Sequence, residues 1–165
     1  MSESFDALRD LYQDVILDHG RHPRHAGRLA AFDATAKGDN PMCGDRVQLW
    51  LKYAPDGRIE KTGFEARGCA ISVASADLMA EIVAGTPVED VRALFSAFRE
   101  MAKHGDAPDA AVAPGGKLAE KLAEKLERLR PLAGVHEFPS RVKCATLPWH
   151  ALIAAIEGTQ ETSSE

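Results

Sequence analysis

The feature that most constrains the fold is a predicted β-hairpin in the first half of the chain. Apolar and polar side chains alternate along RVQLWLKY (46–53), a pattern typical of a half-buried strand. The following APDG predicts a hairpin turn in which Gly57 adopts a positive φ, and RIEKTGFEARG predicts the returning strand. FDATAK predicts a further short strand before them. This part of the chain therefore predicts a small antiparallel sheet.

Helical periodicity dominates the rest of the sequence. Apolar residues recur every three or four positions in SFDALRDLYQDVILDHG, AISVASADLMAEIVAG, TPVEDVRALFSAFREMAKHG, KLAEKLAEKLERLR and WHALIAAIEG. Thr86 is the predicted N-cap of the third of these, with Pro87 in the first helical position. The last helix is predicted to begin near Cys144. Strands followed by helices predict an α+β fold, with about three antiparallel strands packed against about five to six helices.

Size and charge narrow the class of protein. A chain of 165 residues predicts one domain over 1–165, with 1–3 and 159–165 flexible. The net charge of −5 argues against a general nucleic-acid binder. No apolar run approaches the ~18 residues of a membrane span, and the first residues lack the pattern of a secretory signal. We therefore expect a cytoplasmic protein that binds neither nucleic acid nor membrane.

The chain has three cysteines, Cys43, Cys69 and Cys144, which are its main candidates for metal-binding or reactive residues. They cannot all pair with one another, and in a reducing compartment they are expected as thiols, metal ligands or reactive centres. The alternative is that they are small buried hydrophobic residues. Each lies where a predicted element begins or ends. Cys69 and Cys144 fall at predicted helix N-termini, where the helix dipole favours the metal-binding thiolate.

A zinc site usually has four ligands, so three thiolates leave one position to fill. Asp45 in NPMCGDR is the best candidate, because Gly44 allows a turn sharp enough for Cys43 and Asp45 to face one ion. The alternative is that Asp45 is a turn residue bonded to its own backbone. The spacing by itself leaves both interpretations open.

The histidines His19, His22 and His25 suggest a second metal site by their spacing. Pro23 interrupts any helix there, so we expect that the three rings do not share a face.

Four separated motifs resemble those of the IscU/NifU-type iron–sulfur cluster assembly proteins: LYQDVILDHGRHPRHAG, NPMCGDRVQLWL, FEARGCAISVASADLMAEIVAG and FPSRVKCATLPWHAL. The SufU branch is the closer match for two reasons. A loop and helix at 106–134 form an insert between the second and third cysteines, and Lys143 stands where IscU-like scaffolds carry histidine. FPSRVK also replaces their chaperone-recognition motif, Leu-Pro-Pro-Val-Lys.

The resemblance implies a zinc-dependent sulfurtransferase. It would take persulfide sulfur from a SufS-type, pyridoxal-phosphate-dependent cysteine desulfurase and pass it to a downstream iron–sulfur scaffold. By the same resemblance Arg141 would neutralise the reacting sulfur, Cys43 would accept it, and the histidine-containing stretch would belong to the docking surface. The implied Zn²⁺ ligands are Cys43, Asp45, Cys69 and Cys144.

Three other interpretations stay open. The chain could be an IscU-like scaffold that assembles a [2Fe–2S] cluster on the same cysteines. It could be a zinc-stabilised allosteric activator of the desulfurase that never carries persulfide. It could also be a structural domain with buried thiols.

Overall fold

The computed structural model describes residues 2–41, 44–105, 116–159 and 161–163. Its helices are α1 (Ser2–Arg21), α2 (Ala70–Val83), α3 (Val88–His104), α4 (Gly116–Arg128), a 3-10 helix (Arg130–Glu137) and α5 (Pro139–Glu157). Its strands are β1 (Ala34–Asn40), β2 (Asp45–Tyr53), β3 (Ile59–Arg67) and β4 (Glu161–Ser163).

The predicted antiparallel sheet is confirmed. Strands β1 and β2 pair antiparallel, as do β2 and β3, and the order across the sheet is β3-β2-β1-β4. Gly57 adopts a φ of 89° in the turn between β2 and β3, as the APDG pattern predicts. The α+β architecture, in which β1, β2 and β3 are followed by most of the helices, follows the sequence pattern.

The short strand β4 was not predicted from the sequence. It pairs in parallel with β1, with Gly38 opposite Thr162. Residues 161–163 therefore have a defined place in the sheet, although they lie in the stretch predicted to be flexible. Backbone pairing with an edge strand does not depend on an alternating side-chain pattern, so no such pattern marked this strand.

The core fills the space between one face of the sheet and the helices. Leu49, Leu51 and Phe64 of the sheet are buried against the apolar faces of α2 and α5. Trp149 of α5 packs on Phe98 of α3, with ring centroids 5.3 Å apart. Burial of such side chains is the main force holding α2 and α5 against the sheet. Within the described residues, no helix has the length and apolar character needed to cross a bilayer.

Two helix starts differ from the prediction. Helix α5 begins at Pro139, so Cys144 lies in its second turn rather than at its N-terminus. Proline suits the first turn, because its fixed φ is helical and its missing N–H has no intrahelical partner there. Helix α3 begins at Val88 with Pro87 as N-cap, and the Thr86 hydroxyl instead donates to the Ile82 carbonyl at 3.4 Å.

Candidate metal centre

The turn between β1 and β2 brings Asp45 to the edge of the core. Gly44 adopts a φ of 72°, and its N–H donates to the carbonyl of Asn40 at 2.9 Å. Asp45 is the first residue of β2 and is only 1% exposed. A buried carboxylate needs a compensating partner. Met42 and Cys43 lie outside the described residues, so the structure does not test the predicted roles of Cys43.

Cys69 connects β3 to α2 and supplies one such partner. It lies at the N-terminus of α2, as predicted, in the N-cap position, and its backbone N–H donates to Asp45 Oδ1 at 3.0 Å. Its Sγ lies 3.8 Å from Asp45 Oδ2. The Asp45 carboxylate therefore reaches across to the second cysteine segment, a contact that the turn-residue interpretation did not require.

Gly68 makes this close approach possible. Its φ is 145°, and a Cβ placed there would lie 1.9 Å from Asp45 Oδ1. Any larger residue would therefore collide with the carboxylate and would also adopt a backbone conformation that suits glycine.

Cys144 approaches the same point from α5. It is fully buried, and the Nδ2 atom of buried Asn40 lies 4.0 Å from its Sγ. Burial raises the pKa of the Cys144 thiol well above its ordinary value, and the neighbouring Asp45 and Cys69 raise it further. Three acidic groups thus face one another, an arrangement that favours a bound cation.

The donor atoms of Asp45, Cys69 and Cys144 all lie within 4.8 Å of one another. Arg141, one turn before Cys144 on α5, is exposed, and its side chain reaches the thiols of Cys144 and Cys69, which raise the pKa of Arg141. Two thiols and a carboxylate form a donor set suited to a thiophilic ion such as Zn²⁺.

The histidine stretch does not form a second site of this kind in the described part of the chain. His19 Nδ1 lies 2.5 Å from Oδ2 of Asp77, a fully buried residue of α2. Asp77 Oδ1 accepts the backbone N–H groups of Arg24 and His25, both at 2.8 Å. The stretch is therefore tied to α2 by one buried carboxylate, and His19 has a structural partner.

Several residues near the site were missed from the sequence. The sequence led to no predicted role for Asn40, Gly68 or Asp77. Ser75 of α2 was also missed, although its hydroxyl donates to the carbonyl of Ala145 at 2.5 Å and so joins α2 to α5 beside the thiols. Of these residues, only Gly68 could have been predicted from the sequence to matter, since glycine often occurs where the backbone lies close to another group.

The NifU-like N terminal domain family matches residues 11–145, and the chain therefore belongs to that family. This confirms the resemblance carried by the motifs. The chain is 38% identical to the iron–sulfur cluster assembly scaffold protein IscU of Streptococcus pyogenes over 150 residues, which cover 91% of this chain and 85% of that protein. It is 36% identical to the zinc-dependent sulfurtransferase SufU of Bacillus subtilis, covering 90% of this chain and 92% of SufU.

A solved structure shares the fold. It belongs to a candidate iron–sulfur cluster assembly scaffold protein for the SUF system of Fervidobacterium islandicum, and it is similar at a TM-score of 0.66 and 25% identity. The match covers 87% of this chain and 94% of that one. The α+β fold expected of the family is thus confirmed.

Proposed function

We propose that this protein is a zinc-dependent sulfurtransferase, which accepts persulfide sulfur from a cysteine desulfurase of the SufS type for iron–sulfur cluster assembly. The observation that carries the proposal is the convergence of Asp45, Cys69 and Cys144 in a chain 36% identical to a zinc-dependent sulfurtransferase. The pyridoxal-phosphate-dependent desulfurase and a downstream scaffold are the proposed partners, and the cytoplasm is the proposed location.

The donor set fits zinc. Tetrahedral zinc with typical Zn–S and Zn–O bonds separates a sulfur and an oxygen ligand by about 3.6 Å. The Cys69 Sγ and Asp45 Oδ2 atoms lie 3.8 Å apart. Asp45, Cys69 and Cys144 would hold the ion, and we propose Cys43, two positions before Asp45, as the fourth ligand.

Sulfur transfer requires a thiolate acceptor. Bound zinc would keep its cysteine ligands deprotonated near neutral pH and has no redox chemistry of its own. In the proposed step, the Cys43 thiolate attacks the terminal sulfur of the partner's persulfide. The partner's S–S bond breaks, its cysteine leaves as a thiolate, and Cys43 carries the persulfide with no net oxidation. Arg141, beside the thiols of Cys144 and Cys69, would offset the negative charge there.

A second candidate function is the assembly of a [2Fe–2S] cluster on the same cysteines. The 38% identity to the Streptococcus pyogenes scaffold favours it. Against it stands Lys143, which occupies the position of the scaffold histidine and cannot act as a histidine ligand. A third candidate, a zinc-stabilised allosteric activator, shares the metal but not the persulfide.

Metal analysis and sulfur labelling separate the three functions. We expect about one zinc per chain and no visible absorption. With the desulfurase and ³⁵S-cysteine, the wild type should acquire label that a thiol reductant removes. The Cys43→Ser variant should acquire none, whereas the neighbouring Met42→Ala variant serves as the matched control and should be labelled.

The other results have distinct meanings. A brown protein that contains iron and sulfide, and that passes its cluster to an acceptor, would support the scaffold function. Acceleration of the desulfurase without label on the wild type would support the activator.

A further inference from the structure

An open cavity lies between α3, the 3-10 helix and α5. Its volume is about 300 Å³. Arg99 and Lys103 of α3 line it, together with His136 of the 3-10 helix and Lys143 and His150 of α5. Consecutive helix positions are about 100° apart, so Lys143 and Cys144 lie on different sides of α5. The cavity is therefore separate from the candidate metal centre.

The cavity concentrates positive charge. Arg99, Lys103 and Lys143 line it without any carboxylate among the lining residues. In the described part of the chain none of the three forms an ion pair. Such a cluster stands out in a chain whose net charge is −5. Like charges gathered around one cavity repel one another, and an anion placed between them relieves that repulsion.

The two histidines add hydrogen-bonding groups. Burial, followed by the charges of Arg99 and Lys103, lowers the pKa of His150. His136 Nδ1 lies 2.9 Å from the Ala133 carbonyl. Its ring is also held against Gly105, where a Cβ would lie 2.9 Å from the imidazole. The His136 ring is therefore held in place at one side of the cavity.

We propose that this cavity binds a small polyanion with two or more phosphate or carboxylate groups. Three cations can each form charge-assisted hydrogen bonds with such groups, and Val142 and Pro139 supply an apolar wall. A volume of about 300 Å³ lies at the lower end of small-molecule sites and suits a ligand of this size. The proposal does not depend on the sulfur-transfer function.

The test is isothermal titration of the purified full-length protein with pyrophosphate and, separately, with citrate. Both titrations are repeated on protein treated with a chelator, because these probes themselves bind zinc. The test variant is the double substitution Arg99→Gln and Lys103→Gln, both exposed positions that tolerate polar residues. Arg21→Gln with Lys121→Gln is the control, because it removes the same charge from exposed positions outside the cavity. Lys143 is left unchanged, since its neighbour Cys144 belongs to the metal centre.

We expect at least one probe to bind with a Kd below about 1 mM. The test variant should weaken that binding at least tenfold, since it removes two of the three cations, whereas the control should change it less than about twofold. Pyrophosphate binding without citrate binding would assign the site to phosphates, and the reverse to carboxylates. Equal weakening in both variants, or no binding of either probe, would overturn the proposal.

Discussion

At the scale of single residues, the candidate metal centre depends on the absence of a side chain at position 68. The peptide at Gly68 passes so close to the Asp45 carboxylate that no Cβ fits between them. The same segment then presents the N–H of Cys69 to that carboxylate. One glycine thus determines whether the first two donor segments can meet.

We expect the Gly68→Ala variant to lose zinc and to be less stable. The new methyl group would displace Asp45 and would strain a φ of 145°, at a cost of about 1–3 kcal/mol in the free energy of unfolding. Urea denaturation and metal analysis measure the two effects. Gly134→Ala is the matched control, because nothing lies within 4 Å of a Cβ there. Zinc content equal to that of the control would contradict the role of Gly68.

Asp77, whose carboxylate is buried, gives a second residue-scale prediction. The Asp77→Ala variant would leave the backbone N–H groups of Arg24 and His25 without their acceptor and would remove the partner of His19. We expect a loss of about 3 kcal/mol in the free energy of unfolding, measured in urea. Asp18→Ala breaks an exposed contact with Arg24 and should change stability little. Similar losses in both variants would show that the buried network is unimportant.

At the residue scale, short motifs named some of the residues that converge in the candidate site. Asp45 was a candidate ligand by spacing and, like Cys69, an implied ligand by the family resemblance, and the structure brings both together with Cys144. Asn40 and Asp77 were not selected, because their partners lie far away in sequence. Asn40 is 104 positions from Cys144, and Asp77 is 58 from His19. No local pattern reports such contacts.

At the scale of elements, α5 places Cys144 at a different point along the helix than the sequence predicted. The helix dipole acts mainly within the first turn, and Cys144 lies beyond it because α5 begins at Pro139. Proline at 139 and again at 148 hid the extent of this helix, since proline usually marks a boundary. The dipole argument therefore applies to Cys69 and not to Cys144.

The position of His150 on α5 predicts a pH dependence of stability. Its pKa is lowered from an ordinary value of 6.5 by burial, and then by Arg99 and Lys103. The unfolded chain therefore binds a proton at His150 more readily than the folded protein does. Stability should fall as the pH decreases through about 6.5 towards the lower folded pKa, and it should be unaffected by this group well above 6.5.

The His150→Gln variant should lose less stability than the wild type between about pH 7.5 and pH 5.5, as measured by chemical denaturation at each pH. His104→Gln is the control, since His104 is exposed and pairs only with Glu100 at the surface. A wild-type pH profile that His150→Gln leaves unchanged would exclude this contribution. If zinc is bound as proposed, its loss at low pH would affect all three proteins and cancel in the comparison.

At the scale of the whole molecule, periodicity was sufficient for the sheet, the order of strands and helices, and the fold class. It was insufficient for β4, because three residues are too few to show a period. It was also insufficient for the cavity between α3, the 3-10 helix and α5. That cavity joins side chains from separate helices, and only the packing of those helices brings their charges together.

The three donors of the candidate metal centre come from separate parts of the chain, and this has a consequence for folding kinetics. Asp45 and Cys69 are 24 positions apart, and Cys144 follows only on the last helix. They meet only after β2, α2 and α5 have docked, so an ion would recognise the nearly complete structure. Unfolding followed by stopped-flow fluorescence should be at least tenfold slower with zinc than after chelation, while the refolding rate should change little.

A large increase in the refolding rate on adding zinc would instead indicate that the donors gather early. If the expected result is obtained, bound metal slows the unfolding of a chain that has already folded. The lifetime of the native state, rather than the speed of reaching it, would then follow the supply of the ion.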